Sequence, residues 1–495
     1  MSYSRTPSLI IFLLISILVF ASEATAQTFS FLRVVRALSL EDPFQIVTGD
    51  FNNDGNLDLV FSDRNISEVF VVFGDGKGHF GTEVGFATLG PPVSPVTADF
   101  NDDGNLDLAM ALPTRNSIVV LFGTGNGNFS SPTELPAGPS PFQAPLGVVA
   151  GDFDGDGTPD LMSIAVGSNV ISFIKSNGDG TFGPYLFAGV VRDDPLMIIH
   201  ADFNLDGKLD IATANLDFFG ITVALGTGSG TILSPFEIAT TSAGAFALTA
   251  GDFNKDGFPD LAFLHSFPSV PGTVSIALGK GDGTFGPRMD ASTGLDPRAI
   301  LTGDFNFDGD LDLIVANFLS NTLSILPGTD NTLQFGPALT LFSLDRPIAL
   351  AAGHFDIDCR LDLALLTADN ETLTTLVNGS PNFRLDLVDL QPSTNVLWPP
   401  NHKMVDVTVS YSVTNSCGAP TCTLSIASNE PINGPGEGDS APDWEIIDAH
   451  RLRLRAERAA KGSGRIYTIT VTCSDTSGSS VGRAVTVAVP KNQSR

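Results

Sequence analysis

DFNNDGNLD, residues Asp50 to Asp58, is the first of seven versions of one nine-residue phrase. It returns as DFNDDGNLD at Asp99–Asp107, DFDGDGTPD at Asp152–Asp160, DFNLDGKLD at Asp202–Asp210, DFNKDGFPD at Asp252–Asp260 and DFNFDGDLD at Asp304–Asp312. A worn seventh copy, HFDIDCRLD, runs from His354 to Asp362. Successive copies start 49, 53, 50, 50, 52 and 50 residues apart. A period this steady marks a repeat architecture, in which each unit buries its core against its neighbours.

Oxygen-bearing side chains fall at positions 1, 3, 5 and 9 of the phrase, with Gly at position 6. These are Asp50, Asn52, Asp54 and Asp58; Asp99, Asn101, Asp103 and Asp107; Asp152, Asp154, Asp156 and Asp160. The later copies supply Asp202, Asn204, Asp206 and Asp210; Asp252, Asn254, Asp256 and Asp260; Asp304, Asn306, Asp308 and Asp312. A hard cation such as Ca²⁺ takes six to eight oxygens, and alternate residues of a curling loop can supply them. The glycine allows the positive φ that turns the chain around the ion. Position 7 holds Asn56, Asn105, Thr158, Lys208, Phe258 and Asp310. Lys and Phe side chains cannot ligate a cation, so this position is expected to offer its backbone carbonyl, with the position-9 Asp closing the cage. Asp-Gly and Asn-Gly pairs also form ordinary hairpin turns. A turn explains one Asp and one Gly, but not several acceptors at fixed offsets in copy after copy. Four carboxylates predict the tightest calcium binding in the third loop. In the seventh, His354, Cys359 and Arg360 argue for weak or absent binding.

The chain of 495 residues has room for more than one domain, and carries a net charge of −29. Of its 55 acidic residues, 24 lie inside the phrases, so much of the charge is ligand chemistry rather than diffuse acidity. Filling six loops with Ca²⁺ would leave about −17. Such a surface argues against nucleic acid as a partner, which requires clustered Lys and Arg. At the N-terminus, Arg5 precedes the apolar run Leu9–Ala21 and an A-x-A pattern at Ala24–Ala26. Residues 1–26 therefore read as a cleaved signal peptide, with an uncleaved anchor as the alternative. No other long apolar run follows, so no transmembrane segment is expected after cleavage. The mature protein is expected to be secreted or held at the cell surface, where millimolar calcium is available. Among Cys359, Cys417, Cys422 and Cys473, Cys473 is expected to pair with Cys417 or Cys422, leaving Cys359 over.

Each repeat parses as four short strands. One leads into the phrase, as Gln45–Gly49 does, and a second leaves it, as in Leu57–Phe61. A third is rich in Val, Ile and Phe, as in Ile118–Phe122, and a fourth is more variable. Glycine-rich turns such as FGDGKGHF (Phe73–Phe80) and FGTGNGNF (Phe122–Phe129) join the third to the fourth. No helix N-terminus follows these turns, so they read as hairpins rather than phosphate loops. The expected fold class is all-β: a seven-bladed β-propeller over residues 27–383, followed by a small Ig-like β-sandwich over 384–495. Phe at position 2 of every phrase reads as a plug between neighbouring blades. Thr28–Leu38 reads as the lone strand that completes the seventh blade, removing an exposed edge.

The phrase together with the FG-x-G-x-G-x-F turn resembles the FG-GAP/VCBS repeat family, the propeller type of integrin α-subunits and many bacterial surface proteins. The resemblance covers about residues 27–383. It implies calcium in the strand-to-strand loops and a role in adhesion or ligand binding. The WPPNHKM, SNEP, LRAER and GRIYTITV stretches of the last part resemble bacterial Ig-like modules related to HYR domains.

In an antiparallel blade the phrase loops and glycine-rich turns share one rim. The opposite rim gathers the irregular pieces 131–147, 190–196, 216–220 and 266–272, where recognition is expected. The expected function is a calcium-stabilised adhesion or recognition protein for an extracellular protein or glycan. A polysaccharide lyase or hydrolase, or a surface component that binds nothing, is the alternative. No catalytic residues are assigned, because the histidines lack partners with a nucleophile signature. In the C-terminal part, the alternating Arg451, Arg453, Arg455 and Arg458 read as a solvated face. Glu430, Asp439 and Asp443 are a weaker candidate for another cation, and Trp398 reads as a packing residue.

Overall fold

The computed structural model describes Phe29 and Phe335 together with residues 31–138, 144–191, 194–216, 220–238, 244–265, 270–329, 338–342, 344–356, 358–379, 385–414, 419–430, 442–458, 464–475 and 480–491. The processing signal, Cys417, Asp439 and much of the irregular rim lie outside these residues. The chain divides into two compact units at Gly379/Ser380.

All regular structure among the described residues is β. Among the described residues the first unit forms seven four-stranded antiparallel sheets. The first consists of Pro43–Gly49, Asp58–Asp63, Glu68–Val72 and Val84–Ala87, paired in chain order. Every second strand begins at the position-9 aspartate, from Asp58 to Asp362. Alternation between polar and apolar sides is lost in these strands: Asp58–Asp63, Asp107–Leu112 and Asp312–Asn317 are buried along their whole length. Strands covered on both faces read as continuous apolar runs, which explains sequences such as DLAMAL and DLIVAN.

The sheets associate in sequence. The first strand of each touches the first strand of the next, and Pro43–Gly49 of the first sheet touches Pro347–Gly353 of the seventh, so the series closes on itself. The expected closing strand is present. Phe31–Ala37 pairs antiparallel with Thr372–Asn378, from Phe31 opposite Asn378 to Ala37 opposite Thr372. It supplies the seventh sheet with its fourth strand from the far end of the chain.

The phrase Phe side chains act as the expected plugs. Phe51, Phe100, Phe203, Phe305 and Phe355 are almost fully buried. Each of several meets the Phe that ends the glycine-rich turn of the following sheet: Phe51 with Phe129 (5.8 Å between centroids), Phe100 with Phe182 (5.7 Å) and Phe203 with Phe285 (5.6 Å). Phe355 meets Phe80 edge-on at 5.2 Å, joining the seventh sheet to the first. Edge-to-face pairs of this kind add about 0.5–1.5 kcal/mol beyond area burial.

The second unit has a four-stranded sheet (Asp386–Pro392, Met404–Thr414, Arg451–Arg455, Trp444–Ile446) and a three-stranded one (Thr421–Ser428, Gly464–Ser474, Ser480–Pro490). Leu387, Val407, Leu452, Tyr467, Val471 and Val487 from both sheets share one core. The Cys422–Cys473 disulfide settles the pairing left open by the sequence. Cys359 is not left over as expected: it too is disulfide-bonded. Trp398, expected to pack, is 40 % exposed.

Deleting residues 27–38 should leave Thr372–Asn378 as an open edge. The melting temperature should fall and the protein should self-associate, measured by calorimetry and sedimentation; an unchanged, monomeric variant would contradict the closure.

Candidate metal-binding loops

Each of the first six phrases folds into the same loop; in the seventh, His354 at position 1 instead meets the Arg360 carbonyl. The position-1 carboxylate accepts backbone N–H groups from positions 5 and 6: Asp50 from Asp54 (3.1 Å) and Gly55 (2.9 Å), Asp252 from Asp256 (3.0 Å) and Gly257 (2.9 Å), Asp304 from Asp308 (3.0 Å) and Gly309 (2.8 Å). Asp99, Asp152 and Asp202 repeat the pattern. Position 3 accepts from the position-5 amide, and position 5 accepts from the position-7 amide, as Asn52, Asp54 and Asn56 do. The carboxylates and amide oxygens of positions 1, 3 and 5 are thus wrapped by their own loop. Gly at position 6 sits at φ near 81–90° (Gly207 and Gly157 at the extremes). Position 4 is also left-handed, at Asn53, Asp102, Leu205, Lys255 and Phe307, which the sequence did not announce. In the seventh copy Cys359 takes φ 65° where its counterparts are glycine.

The position-9 aspartate has a role that spacing alone did not disclose. All seven are buried at 0 % exposure. One oxygen accepts the N–H of the phrase Phe: Phe51 to Asp58 (3.0 Å), Phe203 to Asp210 (2.8 Å), Phe355 to Asp362 (2.8 Å), and likewise at Asp107, Asp160, Asp260 and Asp312. The other accepts the N–H of the second residue beyond the third strand: Gly74 to Asp58 (2.9 Å), Gly123 to Asp107 (2.7 Å), Ser176 to Asp160 (2.9 Å), Gly226 to Asp210 (2.7 Å). Gly279, Gly328 and Asn378 complete the set. Glycine is needed at most of these sites because the phrase backbone passes close by. A Cβ on Gly226 would lie 2.0 Å from the Leu209 carbonyl oxygen, and one on Gly74 would lie 2.2 Å from that of Leu57. Where the residue is Ser176 or Asn378, its side chain bonds the Phe100 or Phe305 carbonyl of the preceding sheet.

Burial pushes these carboxyls up from the ordinary 3.8, and the two N–H bonds oppose it. Asp58, Asp107, Asp210 and Asp260 rise to about 6, and Asp160, Asp312 and Asp362 to about 7. The position-1 and position-5 carboxylates of the same loop add to the rise at Asp58 and Asp312. Concentrated negative charge of this kind suits a bound cation.

Position-7 side chains bond the position-5 carboxylate in three loops: Asn105 donates to Asp103 (2.8 Å), Thr158 to Asp156 (2.6 Å) and Lys208 to Asp206 (3.2 Å). Asn56, Thr158, Lys208 and Phe258 lie against Gly76, Gly178, Gly228 and Gly281 of the neighbouring turn. Asn105 accepts from Asn53 of the first loop (2.8 Å), and Asp310 pairs with Lys255 of the fifth (2.5 Å). Among the described residues two groups of carboxylates have oxygens within 4.8 Å of one another: Asp152, Asp154 and Asp156, and Asp356, Asp358 and Asp362. Either could hold a metal ion. The donor set is all oxygen, as a hard cation requires.

The same rim carries contacts between sheets. Gly78, Gly127, Gly230 and Gly283 of the glycine-rich turns donate to the carbonyls of Phe355, Phe51, Phe153 and Phe203 in the preceding sheet, at 2.8–3.2 Å. Hairpin turns, phrase loops and plugs are one connected structure.

Other candidates resolve differently. His265 Nε2 meets Ser275 Oγ at 2.7 Å, and Ser275 donates to Asp290 at 2.6 Å. Serine lies between histidine and aspartate and is fully buried, so this is not a nucleophile activated by an oriented base. In the second unit, Glu430 and Asp443 do not surround an open cation site. The buried Arg465 guanidinium lies among them, 2.6 Å from Asp443 and 3.6 Å from Glu430, with Glu457 at 3.5 Å. Arg451 and Arg453 pair with Asp448 and Asp406 on an exposed face, and Arg455 donates to the Pro442 and His402 carbonyls.

The family model for the FG-GAP-like repeat matches residues 50–110, 99–163, 202–263 and 266–315. These stretches are similar to repeats of that family. No curated protein matches it. Among solved structures, it is similar to an Agrocybe aegerita lectin described as recognising non-reducing terminal N-acetylglucosamine, at 18 % identity over 68 % of this chain and 86 % of that one, with a TM-score of 0.46. It is also similar to a protein from Lactobacillus plantarum, at 13 % identity over 67 % of this chain and 97 % of that one, with a TM-score of 0.47. Neither likeness, at such identity and score, carries a function to this chain.

Asp210→Asn should strand one of two buried N–H donors opposite an amide N–H₂. At about 1–3 kcal/mol for each buried group left unsatisfied, the first unit should lose about that much in denaturant unfolding; an unchanged midpoint would contradict the clamp. In metal-free protein the raised position-9 carboxyls stabilise the fold fully below about pH 4, the unfolded value, and that contribution is lost as the pH rises through 6–7. Chelated protein should therefore melt at lower temperature at pH 8 than at pH 5; a higher melting temperature at pH 8 would contradict this.

Proposed function

We propose that this is an extracellular recognition protein: a seven-bladed β-propeller stiffened by calcium in its phrase loops, followed by an Ig-like β-sandwich. The observation that carries the reading is the repeated loop in which positions 1, 3 and 5 converge under their own backbone amides, above a buried carboxylate at position 9. Asp and Asn side chains would hold the ion, with the position-7 carbonyl beside them. The ion's own charge would offset the mutual repulsion of the loop carboxylates. Export fits the N-terminal processing signal and the availability of calcium outside cells. No helix among the described residues is long and apolar enough to cross a membrane.

Recognition is assigned to the rim opposite the phrase loops, with a protein or glycan as ligand. Two features support this. Cationic side chains otherwise scarce in an acidic chain gather there: Arg64, Arg115, Arg298 and Arg346 all lie at second-to-third strand loops or at strand-one entries. Arg298 and Arg346 flank the Phe318 ring at 5.1 and 5.2 Å, and Arg64 covers Phe44 at 4.7 Å. Stacked guanidinium and aromatic groups give a rigid, amphipathic surface of the kind that anchors interfaces.

EDTA should lower the melting temperature of the first unit by several degrees and excess Ca²⁺ should restore it; an unaltered melting curve would contradict the calcium reading. On a glycan array or with a captured extracellular protein, Phe318→Ala should weaken binding about tenfold or more, the 1.4 kcal/mol or greater typical of a buried anchor. Retained affinity would move the binding face elsewhere.

A further inference from the structure

Among the described residues, a lysine ammonium bonds the position-5 carboxylate in two loops: in the fourth it is Lys208 of the phrase itself, 3.2 Å from Asp206, whereas in the third it is Lys175, which comes from outside the phrase and bonds two carboxylates. In the first, second, fifth and sixth loops, position 3 is Asn and its amide donates to the position-5 carboxylate. The distances are 3.0 Å for Asn52 to Asp54, 3.1 Å for Asn101 to Asp103, 2.8 Å for Asn254 to Asp256 and 2.9 Å for Asn306 to Asp308. In the third loop position 3 is Asp154, which has no N–H to give and adds a charge. The donor is supplied by the residue that follows the third strand, Val170–Ile174, of the same sheet. Lys175 Nζ bonds Asp154 Oδ2 and reaches Asp156 Oδ2 at 2.5 Å. It therefore makes the bond to position 5 that Asn makes in the first, second, fifth and sixth loops, and neutralises Asp154 as well.

Within the first six repeats the substitution at position 3 and the lysine occur together; the worn seventh has Asp356 at position 3 and Val377 at the lysine's place. The residue just before the turn is Phe73, Phe122, Leu225, Leu278 or Pro327 in the other five of the first six repeats, and Lys175 only here. None of the other five can carry charge at that place, and none of those repeats has Asp at position 3. Asp154 is only 15 % exposed in its side chain, so this ion pair is better shielded than an open surface contact. The bonds to Asp154 and Asp156 hold the Lys175 ammonium well above the usual lysine range, and the lysine holds Asp156 well below the usual carboxylate range.

We propose that Lys175 is a built-in substitute for the cation of the third loop. Its ammonium closes the loop, so the phrase with the most carboxylates does not take up calcium under conditions that fill the others. To enter, Ca²⁺ must displace the ammonium from two carboxylates and leave a like charge beside itself. This inference rests on the calcium reading of the other loops and reverses the affinity order that ligand charge alone predicts.

The test uses Lys175→Leu, which installs the residue found at the same place in the fourth and fifth sheets. Equilibrium dialysis against calcium chloride should give one more bound Ca²⁺ per chain for the variant than for wild type. Equal stoichiometry would overturn the proposal. In chelator-treated protein the variant should melt lower than wild type, because Asp154 and Asp156 lose their counter-charge, and Asp154→Asn in the same background should recover most of the loss. An unchanged metal-free melting temperature in Lys175→Leu would also overturn it. Wild type that binds no calcium would contradict the calcium reading itself, while the metal-free comparison still decides the role of Lys175.

Discussion

One buried carboxylate per sheet holds the first unit together. The position-9 aspartate sits at the point where the phrase loop becomes the second strand, and it takes one N–H from the phrase Phe and one from the end of the third strand. Charge-assisted bonds of this type are shorter and roughly twice as strong as neutral ones. An aspartate with no exposed surface would be costly without them. The pair of bonds fixes the depth of the Phe, and the Phe carbonyl then receives an amide from the next sheet. The loop, the sheet and the contact between sheets are thereby set by a single side chain.

That arrangement leaves the two rims with opposite characters. One concentrates aspartates whose lone pairs converge within loops too short to spread them. The other carries arginines stacked on phenylalanines, each also paired with a carboxylate such as Asp296 beside Arg298 (2.8 Å). A net charge of −29 is thus a poor description of the surface any one partner would meet. The stiff rim also explains how left-handed residues as unsuited to that conformation as Leu205 and Phe307 are tolerated. Isolated, each would cost on the order of 1–2 kcal/mol, but the loop around them is pinned at both ends by hydrogen bonds to carboxylates.

Much of this was legible in the sequence, for physical reasons. Period and strand composition identify the sheets because each repeat must bury the same faces against the same neighbours. Phe at position 2 reads as a plug because no exposed role would keep a large apolar side chain there in every copy. The closing strand Phe31–Ala37 was visible as a unit without partners. The clamp role of Asp58 and its counterparts was not, although a signal existed: the acceptor and its second donor are 16 residues apart in six of the seven sheets. Without knowing that a glycine there admits the phrase backbone, the interval has no meaning. Arg465 was missed for the opposite reason. It lies in an alternating strand pattern that hides a fully buried guanidinium, and the acids around it looked like a cation site because a cation is indeed there, bonded to the chain.

Calcium in the phrase loops of this clamped scaffold is the central proposal. Metal analysis by mass spectrometry of protein purified without chelator and freed of unbound ions by gel filtration tests it most directly. The account predicts several calcium ions per chain, and the absence of bound calcium would contradict it.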